Sequence, residues 1–268
     1  MTTVTGARHG VAFWLQLGFT LLVCMLLVAP MLLSLLAGVT ENYLVGIESG
    51  LTTRWIAEVL RGYSDTILLS LQVALACLAA TLVLGVPVAY VLARRGNWLT
   101  RLFEELLTMP IAVPGLATAL ALIITYGGVG EFRRSWLFIL VGHVLFTLPF
   151  MVRSVLAVMS AVDLRTLEEG AASLGAGFAR RFFTIVLPNS LPGILSGSLM
   201  VVTLSIGEFN LTWLLHTPLT KTLPVGLADS YASLRIEIGS AYTLIFFVMV
   251  IPLLLLLQAL ARFGQPPR

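Results

Sequence analysis

Charge is what this sequence has least of. Aspartate, glutamate, lysine and arginine make up 11% of its 268 residues, against roughly 25% in an ordinary soluble domain. Apolar residues reach 58%, and the mean hydropathy is +0.99. So little polar surface excludes a dissolved monomer, and disorder needs the opposite balance. Lysine is nearly missing, Lys221 standing alone beside fifteen arginines. The two cysteines, Cys24 and Cys77, exclude a disulfide-stapled scaffold; both lie in apolar runs and read as small buried hydrophobes without a redox role. His9, His143 and His216 are scattered, and no C-x-x-C or H-E-x-x-H occurs, so no metal site is expected. Lys221 lacks the glycines of a P-loop, and no Ser-His-Asp or paired-carboxylate constellation exists. The chain is not an enzyme on its own. A formal charge of +3 and a pI near 9.1 do not indicate nucleic-acid binding, because the arginines fall in short connections between apolar runs. Topology and anionic lipid account for basic residues there. What remains is an all-α integral membrane protein.

Six stretches, 9–40, 66–93, 106–130, 135–152, 182–207 and 238–261, lack any acidic residue, lysine or arginine, each at or beyond the ~18 residues a crossing needs. Helices are expected at 11–36, 66–92, 106–126, 136–158, 191–213 and 239–261. Continuous apolar runs of this length are not barrel strands, which alternate. The first run is longer than a signal-peptide core and lacks a small-x-small cleavage site, so it reads as an uncleaved span. With the N-terminus inside, Arg8, Arg94, Arg95, Arg101, Arg153, Arg165, Arg180, Arg181, Arg262 and Arg268 are internal. Arg54, Arg61, Arg133, Arg134, Lys221 and Arg235 are external. That bias places both termini in the cytoplasm and the protein in the cell membrane as a multi-pass chain.

The connection from Ser160 to Leu191 is too polar to span and too regular for a slack loop. Leu164, Leu167, Ala171 and Leu174 recur at helical spacing opposite Arg165, Glu168 and Glu169. Asp163 suits the start of that helix, and Gly175-Ala176-Gly177 breaks it. A second short helix with Phe178, Phe182 and Ile185 on one side should end at Leu187-Pro188, so that 182–190 precedes the fifth span.

These residues resemble a known motif. Glu169-Gly170-Ala171-Ala172-Ser173-Leu174-Gly175, followed by Ile185-Val186-Leu187-Pro188, is similar to the E-A-A…G…I-x-L-P loop of binding-protein-dependent ABC importer permeases. The match rests on Glu169, Ala171, Gly175, Ile185, Leu187 and Pro188, and the resemblance implies that these, with Leu174, couple the chain to an ATPase. Gly170 departs from it, since the family has alanine there. The likeness extends through Leu148-Pro149-Phe150 with Arg153 and through Thr222-Leu223-Pro224. It is greatest for the spermidine/putrescine-type branch, which includes aminophosphonate and iron permeases. The resemblance implies a permease domain over 63–261, preceded by a segment 1–62 holding the first span and an outer loop, and followed by a short tail, 262–268. It also implies that the loop docks in a cleft of a separate ATPase dimer, so that ATP and magnesium belong to that partner. A second permease subunit, in a heterodimer rather than a homodimer, and a periplasmic solute-binding protein complete the set, with membrane lipid around it. The implied solute is small and polar, such as a polyamine or 2-aminoethylphosphonate.

Four further features bear on a solute path. Pro110 and Pro114, beside Gly115, should kink the third span and free backbone carbonyls, which either line the path or simply pack. Pro87 and Pro149 read the same way. Gly193, Ser196 and Gly197 form a small-residue surface for close helix packing. Glu208 interrupts a charge-free run, and counting from Leu191 at ~1.5 Å per residue puts it about 25 Å along the fifth helix. It should point inward near Ser205 and Asn210, either as a transient site for an ammonium-bearing solute or as a structural pair. His143 reads as a neutral residue hydrogen-bonded between helices. The alternative function, an ion-coupled secondary transporter, would use Glu208 and His143 as a proton pathway. That class usually shows paired repeats, which are not found here, and it has no need of the amphipathic loop. The outer loop 39–64, with Trp55, packs on the membrane or on the binding protein, and the sequence does not decide which.

Overall fold

The computed structural model describes residues 10–95 and 97–263. Arg8, His9 and residues 264–268 of the tail lie outside them, as does the side chain of Arg262. Among the described residues thirteen α-helices follow one another without a named strand. They are α1 (Val11–Ala37), α2 (Arg54–Gly62), α3 (Ser64–Arg95), α4 (Trp98–Ala112), α5 (Gly115–Tyr126), α6 (Gly130–Arg134), α7 (Trp136–Ala161), α8 (Leu164–Ser173), α9 (Phe178–Arg181), α10 (Leu187–Ile206), α11 (Asn210–Leu215), α12 (Leu223–Ala232) and α13 (Ile236–Phe263). Five helices, α1, α3, α7, the run Phe178–Ile206 and α13, are long and apolar enough to cross a membrane.

The third expected span is not one kinked helix over 106–126 but two helices, α4 and α5, meeting at 103°. Pro110 is carried inside α4; the break falls at Val113-Pro114. A residue before proline is pushed to extended backbone, and Val113 has ψ 128°. Pro114 is extended as well and cannot donate, so it ends one helix and opens the next. Pro87 and Pro149, by contrast, sit inside uninterrupted helices.

The fifth span also differs from expectation. Pro188 does not stop a short helix ahead of it. Phe178–Ile206 runs on through one π turn over Phe182–Val186. That extra residue per turn takes up the missing donor of Pro188, and Asn189 Nδ2 donates to the Ile185 carbonyl at 2.7 Å. The helix then ends at Ile206, well short of 213.

Helices α3, α7 and α10 form the centre, around Cys77, Ala89, Met151, Val152, Val155 and Val201. Glycine permits the closest approach. A Cβ on Gly193 would stand 2.7 Å from the Ser154 carbonyl oxygen, and one on Gly197 2.8 Å from Met151 Sδ. The small-residue surface is therefore occupied by this chain's own α7. Outside the centre, α1 touches α13, with Gly38 against the backbone of Ser240 and Ala241. Most of α1 is apolar and exposed, Cys24 included, so only Cys77 is the buried hydrophobe expected of both. The outer loop folds on the chain itself. Val59 of α2 is buried with Leu223, Tyr242 and Ile245, Trp55 donates to the Thr40 carbonyl at 2.9 Å, and Arg235 pairs with Glu58 at 2.6 Å.

The obstruction at Gly193 is backbone, which no rotamer change relieves. Gly193→Val should lower the thermal unfolding temperature of the detergent-solubilised protein by several degrees, an overpacking cost of about 1–3 kcal/mol. Gly170→Ala, in open space inside α8, should leave it unchanged or raise it, by up to about 1 kcal/mol.

Candidate functional site

Two regions bring the candidate residues together. The first is the loop between α7 and α10. Asp163 caps α8 by accepting from Thr166 N at 3.2 Å and Thr166 Oγ1 at 2.7 Å, and these bonds hold its carboxyl below the usual range. At the other end Gly175 N donates to Ala172 O and Ala176 N to Ala171 O. This pair of bonds makes a Schellman closure, which needs a left-handed residue. Gly175 supplies it at φ 82°.

The faces of α8 are not arranged as its sequence pattern suggests. Leu164 is buried, but Leu167 is exposed and Leu174 is 89% exposed. Glu168, expected on the polar face, is 1% exposed. It accepts from Tyr90 Oη at 2.8 Å and lies 3.2 Å from Arg94 Nη1. An acid with two partners on α3 gains more by burial there than the leucines gain with none; periodicity cannot register such partners. Glu169 is exposed and bonded to Arg165 at 2.9 Å. Phe178 and Phe183 are exposed, Ala171, Ile185 and Leu187 half-buried, and Pro188 exposed.

The second region is where two helix breaks face each other. Residues Gly207–Phe209 separate α10 from α11, and a Cβ on Gly115, just after the α4–α5 break, would lie 3.4 Å from Asn210 Cβ and Leu211 N. Pro110, Val113, Gly115, Thr118, Phe146, Glu208, Asn210 and Leu211 line a cleft of about 90 Å³ there. Glu208 is thus not on a helix 25 Å from Leu191; it precedes α11 and caps it. Its carboxylate accepts from Leu211 N at 2.8 Å, Thr212 N at 2.9 Å and Thr212 Oγ1 at 2.7 Å. Arg133 Nη1 donates to the Leu215 carbonyl at 2.7 Å, so this short helix has an anion at its start and a cation at its end, matching its dipole.

His143 holds this arrangement to the centre. Nδ1 lies 2.8 Å from Ser205 Oγ and Nε2 2.8 Å from Thr212 Oγ1. Thr212 gives its one hydroxyl proton to Glu208, so it accepts from Nε2–H, and Ser205 donates to Nδ1. A neutral ring satisfies every bond. Thr147 Oγ1 donates to the His143 carbonyl at 2.7 Å and stands 3.1 Å from Cys77 Sγ. The cleft therefore gathers Pro110, Glu208 and Asn210. Ser205 turns away to His143, and Pro114 acts through the break. The helix break at Gly207 was missed in the sequence, although a glycine at the end of an apolar run and an acid just ahead of the next helix are stop and start signals.

Residues 81–266 match the model of the family described as the binding-protein-dependent transport system inner membrane component. The chain is 31% identical over 240 residues to the putrescine transport system permease protein PotI of Escherichia coli K12, covering 86% of this chain and 83% of that one. It is 30% identical over 217 residues to the molybdenum transport system permease protein ModB of the same strain, covering 75% and 94%. It is 25% identical over 243 residues to a putative 2-aminoethylphosphonate transport system permease protein PhnV of Salmonella typhimurium, covering 88% and 90%. In fold it is similar to a bacterial ABC transporter that imports the acidic polysaccharide alginate, with a TM-score of 0.71 at 14% identity over 95% and 96% of the two chains.

Thr212 bridges two buried polar side chains. Thr212→Val, nearly equal in volume, should destabilise the protein by about 1–3 kcal/mol, read as a fall in thermal unfolding temperature. An unchanged temperature would mean that the hydroxyl is dispensable.

Proposed function

The chain belongs to the family of binding-protein-dependent transport system inner membrane components and is a permease subunit of an ABC importer. From that premise we propose that it forms half of a solute path worked by ATP hydrolysis on a separate ATPase dimer, which binds the ATP and magnesium. The α8–α9 loop is the docking element. One observation carries this reading: a glycine-closed corner presents Leu174 and Phe178, 89% and 57% exposed, beside the exposed Glu169 carboxylate. Large apolar side chains displayed with an acid at a rigid tip fit a cleft bearing apolar walls and a basic residue. Glu169, Ala171, Leu174, Gly175, Ile185, Leu187 and Pro188 build that element. With the loop docking from inside the cell and α4–α5 taken as one crossing, this reading has both termini in the cytoplasm and a periplasmic solute-binding protein on the opposite side.

The facing breaks at Val113-Pro114 and Gly207–Phe209 are the proposed path. Non-helical backbone at membrane depth is tolerated where it meets protein or a water-filled cavity, and both breaks border one cleft with Pro110, Glu208 and Asn210. That cleft is bordered by this one chain, and a path enclosed on all sides calls for a second permease subunit; a heterodimer is proposed. The exposed apolar length of α1 fits the same pairing. The solute is small and polar, in the class of polyamines or 2-aminoethylphosphonate that two of the relatives are named for.

The corner is tested by Gly175→Val. No atom lies within 4 Å of the added Cβ, so the substitution acts through the left-handed backbone alone. Uptake should be lost and the co-purifying ATPase reduced, with membrane insertion unchanged; normal transport would remove the docking role of the corner. For the path, Glu208→Gln keeps the size of the side chain, removes its charge and leaves one acceptor oxygen where the cap of α11 uses two. Uptake of radiolabelled putrescine by that variant should fall at least tenfold, with basal ATP hydrolysis intact. Full uptake would show that the charge is not needed.

A further inference from the structure

Glu168 is the buried acid that the docking surface does not use. Its side chain is 2% exposed, so it cannot reach an ATPase, and it faces α3 rather than the loop's tip. Tyr90 and Arg94, one turn apart near the end of α3, both reach its carboxylate. The start of the Phe178–Ile206 run grips the same place: the Tyr90 ring lies 5.5 Å from Phe182 and 6.1 Å from Phe178. Arg181 Nη1, at the end of α9, donates to the Glu168 carbonyl at 3.5 Å, joining the two short helices.

We propose that the Tyr90–Glu168–Arg94 contact is the joint that carries displacement of the loop into α3, making Glu168 a positioning residue for transport. This rests on the reading of the loop as the ATPase-docking element. The chain already connects the loop to α7 and α10, so those helices follow it by covalent linkage. Helix α3 has no such link, standing 74 residues away in sequence at Arg94, yet it is part of the helical centre. Burying Glu168 is a poor source of net stability, because its desolvation offsets much of the attraction to Arg94. It does fix geometry. The carboxylate is satisfied at one position of α8 relative to α3, and a loop that moved alone would strand it without partners. An apolar side chain at 168 would let the loop slide over α3; the carboxylate makes the two move together. Arg94, 40% exposed, keeps the outer side of its guanidinium hydrated at the boundary.

The test uses the assembled transporter with its ATPase and second permease in nanodiscs. Cys24→Ala removes the exposed native thiol, and Val91→Cys, at an exposed position on α3, carries an environment-sensitive fluorophore. Adding ATP and vanadate should shift its emission in the otherwise unaltered chain. Glu168→Gln should cut that shift to less than a third, with ATPase still bound at unaltered stoichiometry, a combination that a purely structural role would not produce. Tyr90→Phe removes one oxygen and leaves the ring in place; it should roughly halve the shift, and it decides the matter alone if Glu168→Gln does not assemble. Arg94→Lys should restore more of the shift than Arg94→Gln. A full shift in the Glu168 and Tyr90 variants, or no shift in the unaltered chain with ATPase bound, overturns the joint. Failure of ATPase to bind the unaltered chain instead overturns the docking reading itself, and the co-purification assay separates the two.

Discussion

Lipid offers no hydrogen bonds, and the rest of this structure follows from that constraint. Every backbone donor and acceptor at membrane depth must find a partner inside the protein. Long helices meet most of the demand within themselves, although α1, α3, α7 and α13 each carry an internal proline that withholds one donor. Where the helices break, side chains must stand in. Glu208 takes two amides of α11, Arg133 takes its terminal carbonyl, and Thr212 and His143 relay those bonds to Ser205 on α10. His143, Thr147, Ser205 and Thr212 are gathered around the break after α10, where backbone would otherwise be left unpaired.

The same accounting explains the different fates of two neighbouring acids. Glu168 and Glu169 are adjacent on α8 and chemically alike. One is drawn under the loop by Tyr90 and Arg94; the other remains outside with Arg165, in a surface pair worth little to stability. Burial of the first acid turns Leu167 outward, because it lies about 100° from Glu168 around the helix. Leu174 is displayed for another reason: it lies past the end of α8, beside the left-handed Gly175 corner.

Sequence reasoning located much of this. The apolar runs placed four of the spans within a few residues, Asp163 and Gly175 were legible as the start and end of α8, and His143 as a residue bonded between helices. The likeness of the Glu169–Pro188 stretch to an importer motif named the family that the comparisons then showed. It misjudged proline in both directions. Pro188 proved compatible with a continuous helix because a π turn supplied slack, while Pro114 broke a span outright because Val113 was forced to extended backbone beside it. Proline's missing donor is visible in a sequence; whether neighbouring side chains replace the bond is not.

By itself the sequence determined that this is a multi-span helical membrane protein with one amphipathic loop, since transfer of apolar length into lipid depends on composition and run length alone. Tertiary structure decided which acid is buried, which leucines are displayed, and that the breaks at Pro114 and Gly207 meet. Those outcomes depend on partners far away in sequence, such as Tyr90 for Glu168, 78 residues off, and Asn210 for Gly115. A periodic pattern records the face on which a residue sits, and not what waits opposite it.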